Sequence, residues 1–298
     1  MSAGADASGL TFRQDYLADP AAWDALVALL NDTFGIDIAP LQDLGGPDPT
    51  GMPFGWFAED GTLAANLTAF ALPLLINGRR INAAAFQSGA VRPPWRGRGL
   101  YRDVTRKALA WCEEQGFEAI VLYTDKPALY EPYGFRSLPM HCYTGAAPAP
   151  AFSAHSARDL DLSRHADLAS LRAALKGRMP VSETLAVMEN AAMFLINTQF
   201  DPSVTLSVLD DRQAVIAWKM EGDRFILLDV VAPKIPTLAE IIGALGLRPA
   251  SVEVLFCPDR LRWEDEMQPL EGGTCFMIRA ATEIVLEAPA MLSPMADF

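Results

Sequence analysis

At 298 residues the chain is long for one hydrophobic core, and two domains are the expectation from length. A composition of 51% hydrophobic and 20% charged residues is that of a globular protein rather than a disordered one. A net charge of −13 opposes nucleic-acid binding, which needs clustered Lys and Arg; it suits a cationic partner, although many soluble proteins are acidic for solubility alone.

The most apolar stretch, Leu63 to Ile76, is interrupted by Asn66 and Pro73 and falls short of the ~20 residues of a membrane span. Met1-Ser-Ala-Gly-Ala-Asp6 lacks both a basic region and an apolar core, so no secretory signal is expected and the cytoplasm is the default compartment. Cys112, Cys142, Cys257 and Cys275 are scattered with no Cys-x-x-Cys pair, and His141, His155 and His165 have no ligand spacing. Neither a metal site nor a disulfide framework is expected. Length does not settle the oligomeric state, and a homo-oligomer stays open.

In chain order, residues 1 to 9 read as a loose tail and Leu10 to Arg13 as a short strand. Asp19-Pro20 is an N-cap followed by proline at the first helical position. Trp23, Leu26, Val27 and Leu30 then keep helical spacing as far as Gly35. Ile36 to Pro53, rich in Gly, Pro and Asp, reads as a loop that either borders a substrate site or merely connects. Three strands follow in series: Phe54 to Glu59, Leu63 to Ile76 and Ile81 to Val91, with hairpin turns at Asp60-Gly61 and Asn77-Gly78. A helix from Leu100 to about Gln115 is capped by Gly116. A strand over Phe117 to Tyr123, a short helix over Lys126 to Tyr133 and a strand from Gly134-Phe135 toward Tyr143 complete the first half.

Ala146 to Ser156 is the clearest linker. Beyond it, Asp167 to Lys176 and Glu183 to Ile196 read as helices, the run Met188 to Met193 as a buried face. Strands over Val204 to Leu209, Ala214 to Met220 and Arg224 to Val231 form a second meander, turning at Asp210-Asp211 and Glu221-Gly222-Asp223. A helix over Thr237 to Leu245, a strand over Val252 to Cys257, a short helix near Trp263 to Met267 and a strand over Thr274 to Ala281 follow. Trp218 and Trp263 read as core or inter-domain packing rather than a substrate cage. The element order of the first half is thus repeated in architecture, not in sequence.

Between the first meander and its helix lies Val91-Arg-Pro-Pro-Trp-Arg-Gly-Arg-Gly-Leu-Tyr101. A strand, a glycine turn and a helix start free backbone N–H groups for an anion, and the helix dipole adds about half an elementary charge. By itself Gly-x-Gly serves an ordinary tight turn equally well. The second half has Ala232-Pro-Lys-Ile-Pro236 at the matching join, without glycine and with two prolines that lack N–H donors. Only one copy is expected to hold an anion.

With that element order, residues 10 to 145 resemble the GNAT superfamily of N-acetyltransferases, most specifically in Arg96-Gly-Arg-Gly99 and Leu129-Tyr-Glu-Pro-Tyr-Gly-Phe135. The superfamily's turn reads Gln/Arg-x-x-Gly-x-Gly/Ala; Arg96 and Gly99 match its first two fixed positions, while Tyr101 replaces the last small residue and leaves less room beside the pyrophosphate. The resemblance implies that Arg96, Gly97, Arg98, Gly99, Leu100 and Tyr101 hold the pyrophosphate of acetyl-coenzyme A. It also implies that the strand edge at Ala90 and Val91 bonds the pantetheine arm. Acetyl-coenzyme A is then a co-substrate, with no metal.

The second motif supplies Tyr130, which in the superfamily protonates the departing thiolate; Leu129 stands where an aromatic is usual. A thiol near ~8.5 and a phenol near ~10 differ by about 2 kcal/mol in proton affinity, which local polarity can offset. A packed tyrosine with its hydroxyl on backbone is the plainer alternative; Tyr133 and Phe135 read as core. A base is also needed, because an alkylamine near ~10.4 is neutral only about one part in two thousand at pH 7. Many members place a Glu on the strand before the turn. Ile81-Asn-Ala-Ala-Ala-Phe-Gln-Ser-Gly-Ala-Val91 has none; Gln87 or Ser88 could position a water or the acetyl carbonyl, but neither is a base.

The two-copy layout, ending in Gly273-Thr-Cys-Phe-Met-Ile-Arg279, is most similar to the Eis-type acetyltransferases, without the third sterol-carrier-like region those normally carry. In that family a terminal carboxylate can lie in the active site. Here it would be that of Phe298, although the extended Pro289 to Asp297 tail reads as disordered. The expected fold is α/β (α+β): two GNAT-like domains, residues 1–147 and a degenerate 148–298, each a mixed, mostly antiparallel sheet flanked by helices. The expected function is direct acetyl transfer, in a ternary complex, to a primary amine of a cationic small molecule or peptide lying between the halves. The alternative, motivated by the missing base, is a catalytically silent coenzyme A-binding sensor or scaffold.

Overall fold

The computed structural model describes residues 5–152, 156–270, 272, 274–280, 282 and 284–298, apart from the side chain of Asp211. His155, Gly273 and Ala281, like residues 1–4, lie outside the described residues.

The first half runs β1 (Leu10–Gln14), α1 (Pro20–Phe34), a one-turn α2 (Leu41–Leu44), β2 (Met52–Ala58), β3 (Leu63–Ala71), β4 (Leu74–Ile76), β5 (Arg79–Ile81), β6 (Ala83–Val91), α3 (Leu100–Glu114), β7 (Ala119–Thr124), β8 (Arg136–Leu138) and β9 (His141–Ala146). The second runs β10 (Arg158–Asp159), α4 (His165–Lys176), β11 (Leu185–Val187), α5 (Ala191–Phe200), β12 (Thr205–Leu209), β13 (Ala214–Glu221), β14 (Arg224–Val231), α6 (Leu238–Leu245), β15 (Ser251–Val254), β16 (Glu266–Pro269) and β17 (Cys275–Ala280). Helix starts follow capping chemistry. The Asp19 carboxylate accepts from Ala21 and Ala22 N–H, and Thr237 and Glu240 form a reciprocal capping box on α6.

Two seven-stranded mixed sheets organise the molecule, in the orders β1-β2-β3-β6-β7-β17-β8 and β10-β12-β13-β14-β15-β9-β16. They exchange strands. Residues 275–280 of β17 insert between β7 and β8 of the first sheet, with Phe276 opposite Tyr123 and Ile278 opposite Val121. In return β9 leaves its hairpin partner and pairs with β15 and β16 of the second sheet. Each sheet is therefore completed by chain from the other half.

Several readings change. The single strand expected from Gly134-Phe135 toward Tyr143 is two, β8 and β9, which join different sheets. The apolar run Leu63 to Ile76 breaks at Pro73, which cannot donate to a central ladder; β4 then forms a small separate sheet with β5 and β11. Glu183 to Ile196 is not one helix. Leu185–Val187 pairs with β4, and α5 starts only where the Asn190 side chain accepts from Met193 N–H at 3.0 Å. The short helix near Trp263 is instead strand β16 on β9, because an open edge competes better than one isolated helical turn. The tail is ordered: Ala290 bridges Met140, Tyr143 Oη donates to Pro289 O at 2.7 Å, and Leu292, Met295 and Ala296 are buried. Among the described residues no helix is long and apolar enough to cross a membrane.

Candidate active site

Strands β6 and β7 run parallel but pair only from Ala83–Ala119 to Phe86–Leu122. Beyond Phe86 they part, and a cleft of about 1400 Å³ opens between them. The parting begins at a bulge in β6, where Ser88 takes φ 57° and the β3–β6 register shifts. A buried polar cluster holds that bulge. The Tyr16 hydroxyl donates to Asn66 Oδ1, and Asn66 Nδ2 donates to Ser88 O at 2.8 Å and to Thr68 Oγ1 at 3.2 Å. Past the bulge, Arg92 N–H bonds Ala64 O at 2.9 Å, so by strand alternation the backbone groups of Val91 turn toward the cleft. Arg96 Nε donates to Val91 O at 3.1 Å, and Ala90 pairs with Asn66 in the ladder.

At one end of the cleft a turn of 3-10 helix over Pro93–Trp95 leads into the glycine turn. Gly97 and Gly99 have φ of 79° and 77°, the left-handed region that side chains with a Cβ rarely adopt. Gly99 caps α3 without any side-chain acceptor, and among the described residues the N–H groups of Gly97 through Tyr101 donate to no protein acceptor. They stand at the positive end of a four-turn helix beside the cleft-lining residues Arg96 and Arg98. Chemically this end is suited to a multiply charged anion.

Tyr130 sits between two 3-10 turns, Pro127–Leu129 and Glu131–Tyr133, and is 7% exposed. Phe135 stacks edge-on to it at 5.8 Å, and its hydroxyl bonds that of Tyr101. Tyr101 therefore does not crowd the anion end as its position in the motif suggests. Its side chain reaches back across β6 to Tyr130, over Gly89, where an added Cβ would lie 2.3 Å from the Tyr101 hydroxyl oxygen. Gly89→Ala is expected to displace Tyr101 and lower turnover at least several-fold with the fold intact, as read by near-UV circular dichroism beside thiol release. Burial pushes both phenols up, and the Tyr101 hydrogen bond opposes that rise at Tyr130.

The other end is walled by α1, the loop after it, α5 and the tail. Phe298 packs its ring on Phe70 at 5.7 Å and Tyr123 at 5.4 Å. Asp297 lines the cleft and is exposed to it, its backbone carbonyl accepting from Asn197 Nδ2 at 2.8 Å. Desolvation by the surrounding walls holds its carboxyl above the usual carboxylate range. Sequence reading passed over Asp297 because it took the tail as disordered. The signal available was the apolar run Ala290-Met-Leu292 before Ser293-Pro294, a buried segment followed by a cap. Gln87 and Ser88 both line the cleft. Among the described residues no group of three or more His, Cys, Asp or Glu could hold a metal ion.

A parted parallel strand pair with a glycine turn at the following helix defines the GNAT class of fold. Residues 18–138 match the family model described as an acetyltransferase (GNAT) domain. The fold of the whole described chain is similar to that of Eis1 from Mycobacterium abscessus, at a TM-score of 0.59 and 15% identity, covering 91% of this chain and 73% of that one. It is similar also to a GCN5-related N-acetyltransferase from Kribbella flavida, at a TM-score of 0.56 and 15% identity over 92% of this chain and 72% of that one. A GCN5-related N-acetyltransferase from Anabaena variabilis gives a TM-score of 0.55 at 14% identity over 91% and 73%. No curated protein sequence matches the chain.

Proposed function

We propose that the protein transfers the acetyl group of acetyl-coenzyme A to a primary amine, by direct attack within a ternary complex. The observation that carries this reading is one cleft with the N–H groups of Gly97 to Tyr101, unpaired among the described residues, at one end and Tyr130 lining it. In this reading Arg96 to Tyr101 take the pyrophosphate, and on the β6 edge the N–H of Val91 bonds the pantetheine arm, since the backbone of Ala90 is turned to the β3 ladder and Val91 O already accepts from Arg96. Gly97 meets nothing within 4 Å of an added Cβ, which fits a turn that a phosphate approaches closely.

The amine nitrogen attacks the thioester carbonyl carbon, the carbon–sulfur bond breaks, and the thiolate takes the phenolic proton of Tyr130. The proton lost by the amine goes to Asp297, directly or through water. Its carboxylate replaces the one missing from β6, and a carboxylate whose pKa is raised by desolvation accepts a proton more readily than an ordinary one. The sign is definite: the base works deprotonated, so kcat/KM falls as pH drops through its raised pKa. That fall, about tenfold per pH unit, adds to the loss from amine protonation. Asp297→Asn is expected to remove this added limb and to lower kcat/KM about 10²-fold or more. A variant within threefold of wild type, with the limb retained, would remove Asp297 from the reaction.

The silent coenzyme A-binding sensor or scaffold is the alternative. Its motive, the absence of a base, weakens with Asp297 in the cleft. Free thiol released from acetyl-coenzyme A over a panel of amines supports the enzyme; binding without release from any of them supports the sensor.

A further inference from the structure

The cleft is chemically two-sided. Cationic groups gather at the glycine turn, where Arg96 and Arg98 line the cleft. The opposite end is walled by two helices from different halves of the chain. α1 contributes Trp23, Leu26 and Leu30 at helical spacing, and α5 contributes Met193, Ile196 and Phe200 at the same spacing. Most of these are ordinary core residues by burial. Three large apolar side chains are not: Phe34 is 49% exposed, Ile36 38% and Phe200 45%, and all three line this one cleft. Single exposed hydrophobics are common on any surface, whereas three from two distant segments, the end of α1 and the end of α5, converging on one cavity form a patch that a ligand would cover.

Charge is sparse at this end. Asp125 is paired with Lys126, and Asp6 is tied by its backbone to Arg98 at the glycine turn. Asp48 spends one carboxylate oxygen on Thr50, its N–H at 2.8 Å and its hydroxyl at 2.6 Å. Of these four side chains, Asp297 is the one that faces both the apolar wall and the Tyr123 side of the parted strands. A polycation would need several carboxylates converging on its charges. A molecule with one ammonium head and an apolar body matches what is there.

We propose that the acceptor is an amphiphilic primary amine, with its nitrogen at Asp297 and its apolar body along the wall formed by Phe34, Ile36 and Phe200. This rests on the acetyltransferase reading above and narrows its substrate class from cationic amines in general to those carrying an extended apolar body.

The test uses the full chain, acetyl-coenzyme A and straight-chain primary amines from ethylamine to decylamine, with spermine as the polycation. Every alkylamine carries the same ammonium group, so the slope of kcat/KM with chain length reports the apolar body alone. The expected slope is about threefold to fourfold per methylene until the wall is filled. Phe200→Ala is expected to cut that slope, lowering decylamine turnover more than ethylamine turnover. Phe152→Ala, at a 92% exposed position away from the cleft, keeps it. Thiol release with a flat slope, or with spermine preferred to decylamine, overturns the proposal and leaves the acetyltransferase reading standing. A slope that appears only when the acyl chain of the thioester is lengthened, at fixed ethylamine, assigns the wall to the donor and also overturns it. No thiol from any amine, with acetyl-coenzyme A bound, overturns both readings.

Discussion

Tyr130→Phe is expected to lower kcat by about 10²- to 10⁴-fold, the range of a lost general acid, while the dissociation constant for acetyl-coenzyme A stays within about twofold. Phenylalanine keeps the ring contact with Phe135 and removes only the proton. The site also explains how a phenol could serve. Burial alone holds the proton on Tyr130, and the hydrogen bond from Tyr101 works against that by favouring the phenolate formed as the thiolate is quenched. Tyr101→Phe, which leaves the acid but removes its support, is expected to lower kcat about fivefold, the worth of one hydrogen bond near ~1 kcal/mol. Stopped-flow thiol detection with calorimetric titration of the coenzyme separates these effects. Unchanged kcat in Tyr130→Phe would make that residue a packed tyrosine and nothing more.

Arg178→Met is expected to cost about 3–5 kcal/mol of stability, read as a fall in the urea midpoint. Arg178 and Asp229 form a bidentate pair at 3.2 and 2.5 Å, with side chains 7% and 1% exposed. Removing the cation leaves Asp229 charged and buried. The Ser293 hydroxyl, at 2.9 Å from Asp229 Oδ2, and Val230 N–H, at 2.7 Å from Oδ1, cannot neutralise it. Because the Ser293 hydroxyl also reaches Leu228 O at 2.9 Å, this pair anchors the tail that carries Asp297 and Phe298 into the cleft. Turnover should therefore fall with stability in Arg178→Met. The double variant Arg178→Met/Asp229→Leu, which removes both charges, should recover most of the stability. A single variant within 1 kcal/mol of wild type would show the pair to be dispensable.

Much of the local backbone around the cleft was legible in the residues. Gly97 and Gly99 marked a turn because backbone at positive φ selects glycine locally, whatever the rest of the fold does. Asp60-Gly61 and Asn77-Gly78 marked their hairpins for the same reason. The second half's join reads as unable to offer a row of N–H donors, because Pro233 and Pro236 have none. Tyr101 misled, since its position in the turn implies crowding of the anion; the room for its side chain lies over Gly89, twelve residues earlier and on another element. The base stayed unassigned because the expected carboxylate is absent from β6, and the carboxylate in the cleft arrives on the last turn of the chain.

What the sequence determined by itself is local: caps, turns, strand alternation and the glycine cradle, each decided by the conformational preference of a few neighbouring residues. What only the tertiary structure decided is non-local. The exchange of β9 and β17 between the sheets depends on which edge each strand meets, and edge complementarity leaves no mark in a strand's own residues. The same holds for the ordered tail. Its backbone groups find partners on His141, Tyr143, Cys257 and Asn197, far away in the chain, and those contacts bring Asp297 to the cleft that Gly97 to Tyr101 line.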